Sequence, residues 1–456
     1  MFFPSDRPGG QTPGDRETIA AIATAEGEGG IAIIRVSGPD ARAVLRRVFS
    51  RRGKFEPNRL YHGRIVANGA VVDEAMAVFM KGPRSYTCED VCELHCHGGR
   101  VAARLVLSAV LAAGARAAAP GEFTRRAFLN GRIDLSQAEA VMQLISANSE
   151  AAARAAVRQL GGGASILVGP VVDGLTGLMA VIEASDDFPE EIEEEAGKRE
   201  VGAGLDEAIN ALSGMADERA ARIVREGASV VLAGRPNVGK SSLLNALLGA
   251  ERAIVTDIPG TTRDVITEKL SIGGRIAEIS DTAGMRETGD AVEKIGVARA
   301  ARAVAEADVV LMVLDAHEGL SREDETLLKD ADARWVVCVN KLDAGDKIDA
   351  GFISRVYHLE TVELSAVTGA GVPTLRDVLA RRIGAGEAPL VTERHLALVK
   401  RAISALEAAR AALSDFPLDV CAVDIAEALA ALSEITGENA REAVIDRVFR
   451  DFCVGK

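Results

Sequence analysis

The segment Gly234–Ser241, GRPNVGKS, constrains the fold of this 456-residue chain more than any other. It fits the pattern GxxxxGK[ST] and lies between a strand-like run, SVVLA, and a helix-like run that begins SSLLNALLG. Glycines let successive backbone N–H groups curl around phosphates, Lys240 can neutralise phosphate oxygens, and the Ser241 hydroxyl can ligate Mg²⁺. The sequence therefore predicts a nucleoside-triphosphate site at a helix N-terminus in a parallel α/β sheet.

Three later motifs follow strand-like runs. One completes the phosphate site, and the other two select the base. Asp281–Gly284, DTAG, follows AEIS and can reach the Mg²⁺ and the γ-phosphate. Asn340–Asp343, NKLD, follows WVVCVN, and the Asp343 carboxylate can accept hydrogen bonds from two guanine N–H groups that adenine lacks. Ser365 and Ala366, after the run VEL, can supply a backbone N–H for the guanine O6. Together the four motifs predict GTP binding.

A further segment, PGTTRD, lies between the phosphate loop and DTAG, where switching GTPases place a threonine over the γ-phosphate. We expect Thr262 to ligate Mg²⁺ there. Met285 follows DTAG, where many GTPases have a Gln that orients the attacking water. A thioether cannot do this, so hydrolysis must use another base or be very slow without a partner.

The rest of the chain suggests further domains. Its length fits two to four domains at roughly 150 residues each. Before residue 120, strand-like runs at Ile31–Val36, Ala75–Met80 and Val91–Cys96 alternate with helical stretches such as Val101–Leu111, which is typical of an α+β domain. Helical patterns flank the parallel region on both sides. We therefore expect four segments: an α+β domain at 1–130, a helical domain in two parts at 131–225 and 384–456, and an inserted Ras-like P-loop domain at 226–383.

Charge and hydropathy limit the surroundings of the protein. A formal net charge of -14 argues against non-specific coating of nucleic acid, although a local basic patch stays compatible with it. The N-terminal segment has no apolar core of a signal peptide, and we find no run of 18 apolar residues. We expect a cytoplasmic protein without a membrane anchor.

Three cysteines cluster at Cys88, Cys92 and Cys96. Their CxxxCxxxC spacing matches neither the CxxC pairs of structural zinc sites nor a usual iron–sulfur pattern. The segment CEDVCELHC favours a strand, with the three thiols packed as small apolar groups on one face.

Several longer segments resemble the MnmE (TrmE) family over essentially the whole chain. They are TIAAIAT, IAIIRVSG, SYTCEDVCELHCHGG, PGEFTRRAFLNGRIDLSQAEA, GRPNVGKSSLLNALLG, TDIPGTTRD, DTAGMRET and the C-terminal ITGENAREAVIDRVFRDFCVGK. The GTPase motifs are shared by many proteins, whereas PGEFTRRAFLN and the terminal FCVGK are far more specific.

The resemblance implies a GTPase that acts in tRNA modification. It implies a homodimer that forms a heterotetramer with the flavoprotein MnmG, and a carboxymethylaminomethyl-type group installed on C5 of the wobble uridine of tRNA with a tetrahydrofolate as one-carbon donor. Folate contacts would fall on Arg35, Glu93, Arg132 and Lys456. Cys453 matches the cysteine of the family's tail, and a packed structural thiol is an equally weighted alternative for it.

The resemblance also implies a route for hydrolysis without Gln. K⁺ would replace an arginine finger, with the Asn237 amide and oxygens of Thr256, Ile258 and Thr261 as ligands. Glu293 would act through a water on the base side, while an exposed helix residue is the alternative interpretation. The residues to which catalysis is assigned are Glu293, Asn237, Lys240 and Cys453. The residues expected at the nucleotide are Asn237, Val238, Gly239, Lys240, Ser241, Ser242, Thr256, Asp257, Ile258, Pro259, Gly260, Thr261, Thr262, Asp281, Thr282, Ala283, Gly284, Asn340, Lys341, Asp343, Ser365 and Ala366.

Two other functions fit parts of the sequence. A ribosome-assembly or other regulatory GTPase would share the G-domain motifs, but it predicts a basic RNA-binding appendage that this acidic chain does not suggest. A folate-dependent one-carbon enzyme with a regulatory GTPase domain and no tRNA substrate is the second alternative.

Overall fold

The computed structural model describes residues 17–51, 53–187, 194–249, 267–281, 300–384, 388–450 and 452–456. The chain divides into two compact units. The first comprises residues 1–142, 158–212 and 397–456, and the second comprises 143–157 and 213–396. The predicted α+β domain thus falls in the same unit as parts of both predicted helical segments, and the finer boundaries at 130, 225 and 383 stay predictions.

Up to residue 215, the strands and helices are β1 Ile19–Ile22, β2 Ile31–Ser37, α1 Ala41–Val48, β3 Tyr61–Ala67, β4 Ala70–Met80, β5 Val91–His97, α2 Arg100–Ala112, β6 Arg116–Ala117, α3 Glu122–Leu129, α4 Leu135–Ser146, α5 Glu150–Leu160, α6 Gly163–Asp187 and α7 Glu194–Met215. They continue as α8 Glu218–Glu226, β7 Ala228–Ala233, α9 Lys240–Leu248, β8 Thr267–Ile272, β9 Arg275–Asp281, β10 Val309–Asp315, α10 Arg322–Lys329, β11 Trp335–Asn340, α11 Ala350–Tyr357, β12 Glu360–Glu363, α12 Val372–Gly384, α13 Glu393–Ala412, α14 Leu418–Thr436 and α15 Glu442–Arg450.

The sheet of the first unit has the strand order β3-β4-β5-β2-β1-β6. Its pairs are antiparallel except for the short β1–β6 pair. Alternate residues of β2 and β5 are buried, and they pack with α1 and α2 in one apolar core. This alternation confirms the three strand-like runs that the sequence predicts in this region.

The cysteine interpretation is partly wrong. Cys92 and Cys96 lie buried on β5, and burial raises the pKa of the Cys96 thiol to about 11. Cys88 instead precedes the strand, because β4–β5 pairing ends at the Met80–Val91 pair and the chain turns there. Its φ of 62° is a left-handed conformation that is uncommon for a residue with a side chain.

Helix α6 is the described helix that is long and apolar enough to cross a membrane, with a mean hydropathy of 1.8 over its most apolar window. Its buried residues recur every three or four positions, at Ala164, Val168, Val171, Leu175, Leu178 and Ile182. This spacing gives one buried face, and α6 packs on α14 in the same unit. The pattern is that of a helix in a bundle.

The sheet of the second unit has the order β12-β11-β10-β7-β9-β8, with every neighbouring pair parallel except β8–β9. All seven residues of β10 and all six of β11 are buried, which is the continuous apolar pattern of parallel strands covered on both faces. Parallel strands end at the same edge of a sheet. The carboxyl ends of β7, β9, β10 and β11 therefore lie together at that edge.

Candidate functional site

The phosphate loop between β7 and α9 turns sharply at three residues with positive φ. Gly234 and Gly239 have φ values of 132° and 98°, and Asn237 has a φ of 64°. A Cβ on Gly239 would lie 2.3 Å from Nδ2 of Asn340, so only glycine fits this close approach. The Lys240 ammonium folds back into the loop and donates to the carbonyls of Gly234 at 2.8 Å and Arg235 at 2.7 Å.

Two oxygen-bearing side chains meet beside this loop. The Ser241 hydroxyl, at the start of α9, donates to Oδ2 of Asp281 at 3.0 Å. Asp281 ends β9 and is 8% exposed. The structure thus brings together two of the residues predicted at the Mg²⁺, and their hydroxyl and carboxylate oxygens form the hard donor set that this ion prefers.

Asn340 joins the phosphate loop to the loops expected at the base. Its side chain donates to the Val238 carbonyl at 3.0 Å and accepts from the Ala366 N–H at 3.0 Å. The Ser365 hydroxyl donates to Oδ1 of Asp343 at 2.5 Å. The structure therefore brings the GKS, NKLD and SA motifs to one edge of the sheet although up to about 130 residues separate them in the sequence.

Asp315 is a member of this site that the motifs did not indicate. It ends β10, is 2% exposed, and accepts from the Lys341 ammonium at 2.6 Å. Lys341 also donates to the Asn237 carbonyl at 2.7 Å, so it holds the phosphate loop and Asp315 together. Burial acts to raise the pKa of Asp315, but hydrogen bonds from Lys341 and the N–H groups of His317 and Glu318 outweigh it and keep this pKa below its usual range. The position at the end of a buried parallel strand is the signal that could have found it.

Arg235 provides the second missed contact. Its guanidinium points to Asp324, with Nε 3.0 Å from Oδ2, and lies 3.4 Å from Glu318. Asp324 is 1% exposed and closes a capping box with Ser321 at the start of α10. The phosphate loop is thus tied by an ion pair to a helix that begins 81 residues after it in the sequence.

Many predicted residues lie outside the described residues. They are Thr256, Asp257, Ile258, Pro259, Gly260, Thr261, Thr262, Thr282, Ala283, Gly284 and Glu293.

The first unit brings the predicted folate residues together. Arg35 on β2 and Glu93 on β5 are partners in the sheet register, and Arg35 Nε donates to Glu93 Oε1 at 2.9 Å. Arg35 Nη1 also lies 3.5 Å from the Gly455 carbonyl, while the guanidinium carbon of Arg132 lies 5.5 Å from the centre of the Tyr86 ring, over which Arg35 also lies.

The C-terminal residues lie beside this cluster. Val454 forms a β-bridge with Pro120, and the Lys456 carbonyl accepts from the Phe123 N–H at 3.2 Å. A Cβ on Gly455 would lie 2.1 Å from the Ile22 carbonyl, so glycine lets the tail lie against β1. Cys453 is exposed. The packed-thiol interpretation is therefore wrong for the Cys453 side chain, which the short tail leaves outside the core.

A parallel sheet with the phosphate loop after β7, and with the NKLD and SA loops at the same edge, defines a guanine-nucleotide-binding P-loop protein. Residues 18–132 match the family model of the GTP-binding protein TrmE N-terminus, and residues 135–453 match that of the MnmE helical domain. The chain therefore belongs to the MnmE family.

Individual relatives agree with this assignment over nearly the whole chain. The tRNA modification GTPase MnmE of Symbiobacterium thermophilum is 48% identical, and that of Natranaerobius thermophilus is 44% identical. Both alignments cover 96% of this chain and 99% of the relative. The solved G domain of the T. maritima FeoB iron transporter is 28% identical over 34% of this chain and 98% of its own, with a TM-score of 0.27.

Proposed function

We propose that this protein is the GTP-hydrolysing subunit of the enzyme that modifies C5 of the wobble uridine, U34, of tRNA. It acts as a homodimer with the flavoprotein MnmG and installs a carboxymethylaminomethyl-type group, with a tetrahydrofolate as one-carbon donor. Membership of the MnmE family supports the tRNA-modifying GTPase activity. The observation that carries the whole proposal is the presence in one chain of the guanine-nucleotide loops and the Arg35–Glu93 pair beside the C-terminal tail.

The residues present fit GTP and Mg²⁺. The glycine cradle leaves backbone N–H groups for phosphates, and Lys240 can exchange its two carbonyl partners for phosphate oxygens. Ser241 and Asp281 would hold Mg²⁺, which would neutralise charge on the phosphate oxygens. Asp343 would read the guanine N–H groups.

Hydrolysis would depend on K⁺. Asn237 lies within the phosphate loop, where its side-chain amide would be one ligand of the cation, and the oxygens of Thr256, Ile258 and Thr261 would complete the cation site. Contact between two G domains would complete the cation site, and Glu293 would act through an intervening water as the base-side group.

The K⁺ mechanism is tested by steady-state GTP hydrolysis in matched potassium and sodium buffers. We expect wild type to be faster in potassium, Asn237→Ala to lose this difference, and Glu293→Ala to lose activity in both salts. Equal rates for wild type in the two salts would reject the cation mechanism, and full activity of Glu293→Ala would reject the role of that residue.

The residues in the first unit also fit a reduced folate. A pterin presents an amide-and-amine edge that suits the Glu93 carboxylate, to which Arg35 donates, and its anionic glutamate tail suits cations such as Arg132 and Lys456. Isothermal titration of the full chain with 5-formyltetrahydrofolate should give micromolar binding that Arg35→Ala weakens. No binding by wild type would remove the folate from the mechanism.

The decisive experiment is nucleoside analysis of tRNA from a strain that lacks the gene. We expect the C5-modified U34 nucleoside to disappear and to return with the wild-type gene but not with Lys240→Ala. A regulatory GTPase of ribosome assembly would leave U34 modification intact.

A further inference from the structure

Tyr86 lies at the centre of the predicted folate cluster. The guanidinium carbons of Arg35 and Arg132 lie 5.4 and 5.5 Å from the centre of its ring, within the range of cation–π attraction. These two cations come from different parts of the unit, one from β2 and the other from the loop after α3. Tyr86 is therefore the side chain that both of them share.

The loop that carries Tyr86 is held from several sides. The Tyr86 hydroxyl hydrogen-bonds Oγ1 of the buried Thr124 at 2.9 Å. Oγ1 of the neighbouring Thr87, also buried, lies 2.6 Å from the Ser37 hydroxyl, and the Thr87 carbonyl accepts from the Asn130 amide at 2.6 Å.

A buried network of ion pairs also holds the loop that carries Tyr86. Arg126 is 2% exposed and donates to Glu89 at 3.0 Å and to Glu122 at 2.9 Å. Glu89 also accepts from the Ser37 hydroxyl at 2.7 Å. Because these partners remove the freedom of the loop, the position of the Tyr86 ring is set before any ligand arrives.

The charges around the ring define what it can select. Arg35 is paired with Glu93, whereas Arg132 donates to the Ser85 carbonyl and has no carboxylate partner among the described residues, so it can accept an anionic group of a ligand. A ligand with a flat polar ring at Glu93 and an anionic group at Arg132 would give the carboxylate and the guanidinium each a matching partner. Because both guanidinium groups contact the same Tyr86 ring, this ring limits how far apart the two ligand groups can bind.

We propose that Tyr86 is a positioning residue that sets the ligand selectivity of this site, by holding Arg132 where it binds the anionic tail of a ligand whose flat head lies at Arg35 and Glu93. This inference rests on the proposed folate function. Arg132 then contributes to binding of the anionic tail only when residue 86 is aromatic.

The test compares two ligands on the full chain by isothermal titration. One is 5-formyltetrahydrofolate and the other is its pteroate analogue, which lacks the glutamate tail. For wild type we expect the analogue to bind about tenfold more weakly. Tyr86→Leu should weaken binding of the folate about tenfold and reduce its preference over the analogue to less than twofold, whereas Tyr86→Phe should keep the preference.

A loss of structure alone would weaken both ligands equally and leave their ratio unchanged. Tyr61→Leu is the matched control. The guanidinium groups of Arg51 and Arg59 lie over the ring of Tyr61, which is on β3 in the same unit. We expect this variant to keep the ratio. An unchanged ratio in Tyr86→Leu would overturn the role of Tyr86 while leaving folate binding intact, and absence of binding to wild type would overturn both proposals.

Discussion

Replacement of Asp324 by alanine tests whether the phosphate loop depends on its tie to α10. Oδ2 of Asp324 accepts from Arg235 Nε at 3.0 Å, from the Ser321 N–H at 3.0 Å and from the Ser321 hydroxyl at 2.8 Å. The variant removes all three contacts. It also leaves Arg235 with Glu318, whose side chain is 57% exposed.

The magnitude follows from these contacts. Loss of the half of the α10 capping box that the Asp324 side chain supplies costs about 1 kcal/mol, and loss of a hydrogen bond between charged groups costs about 1.5 to 3 kcal/mol. Among the described residues, Oδ1 of Asp324 is buried and accepts no hydrogen bond, so its removal returns part of this energy. We expect a net loss of about 3 kcal/mol from the free energy of unfolding of the second unit, and a urea m-value of about 2 kcal/mol per molar converts it to a midpoint shift of about 1.5 M.

Trp335 makes the measurement specific to that unit. It is the single tryptophan of the chain and lies on β11, 6% exposed. Its fluorescence during urea unfolding should show the shift for Asp324→Ala. Glu323→Ala is the control, since this exposed carboxylate in the same helical turn should contribute only about 0.3 to 1 kcal/mol. A shift for Asp324→Ala no larger than that of the control would refute the reasoning.

Three other outcomes can be checked. Asp343→Asn should weaken GTP binding at least tenfold in isothermal titration, because hydrogen bonds to a charged group contribute about 1.5 to 3 kcal/mol each; equal GTP affinity would show that this loop does not read the base. The pKa of Asp315 is lower in the folded protein than its ordinary value of 3.8, which applies to the unfolded chain. The stability that Asp315 contributes is therefore full above about pH 5 and decreases as the pH falls toward the lower folded pKa, so Asp315→Asn should be less stable than wild type at pH 7 and the difference should narrow toward pH 3, followed by Trp335 fluorescence. Cys88→Gly should raise the thermal midpoint of the first unit, measured by circular dichroism, because the left-handed conformation costs about 1 kcal/mol for a residue with a Cβ; a lower midpoint would mean that the thiol's contacts outweigh this strain.

The sequence predicted the nucleotide-binding sheet because β7, β9, β10 and β11 are short apolar runs and three of them are followed by a polar motif. The observed strands end where those motifs begin, at Ala233, Asp281 and Asn340. The same reasoning predicted β2, β4 and β5 in the first unit. It placed Cys88 on a strand incorrectly, because an even spacing of three cysteines cannot reveal that the ladder ends at Val91.

Contacts between distant side chains could not be read from the sequence. Arg235 and Asp324 are 89 residues apart, and the local pattern SRED is sufficient to account for Asp324 as a capping-box residue without any partner in the phosphate loop. Asp315 likewise has the appearance of an ordinary strand-end acid until Lys341 is seen to reach it. A local pattern is enough to explain why such a residue is present. The sequence therefore gives no sign of a second contact that forms only in the folded protein.

Asn340 shows how these tertiary roles extend the motifs. One amide side chain holds the phosphate loop at Val238 and the base loop at Ala366, while the adjacent Lys341 holds the phosphate loop at Asn237. The NKLD motif was interpreted from its last residue, the carboxylate expected at the guanine. Its first two residues instead fix the distance between the two loops before a nucleotide is bound, so their substitution should weaken binding of guanine nucleotides without changing which base is preferred. Base selection and site assembly are therefore separate tasks of adjacent residues within one motif.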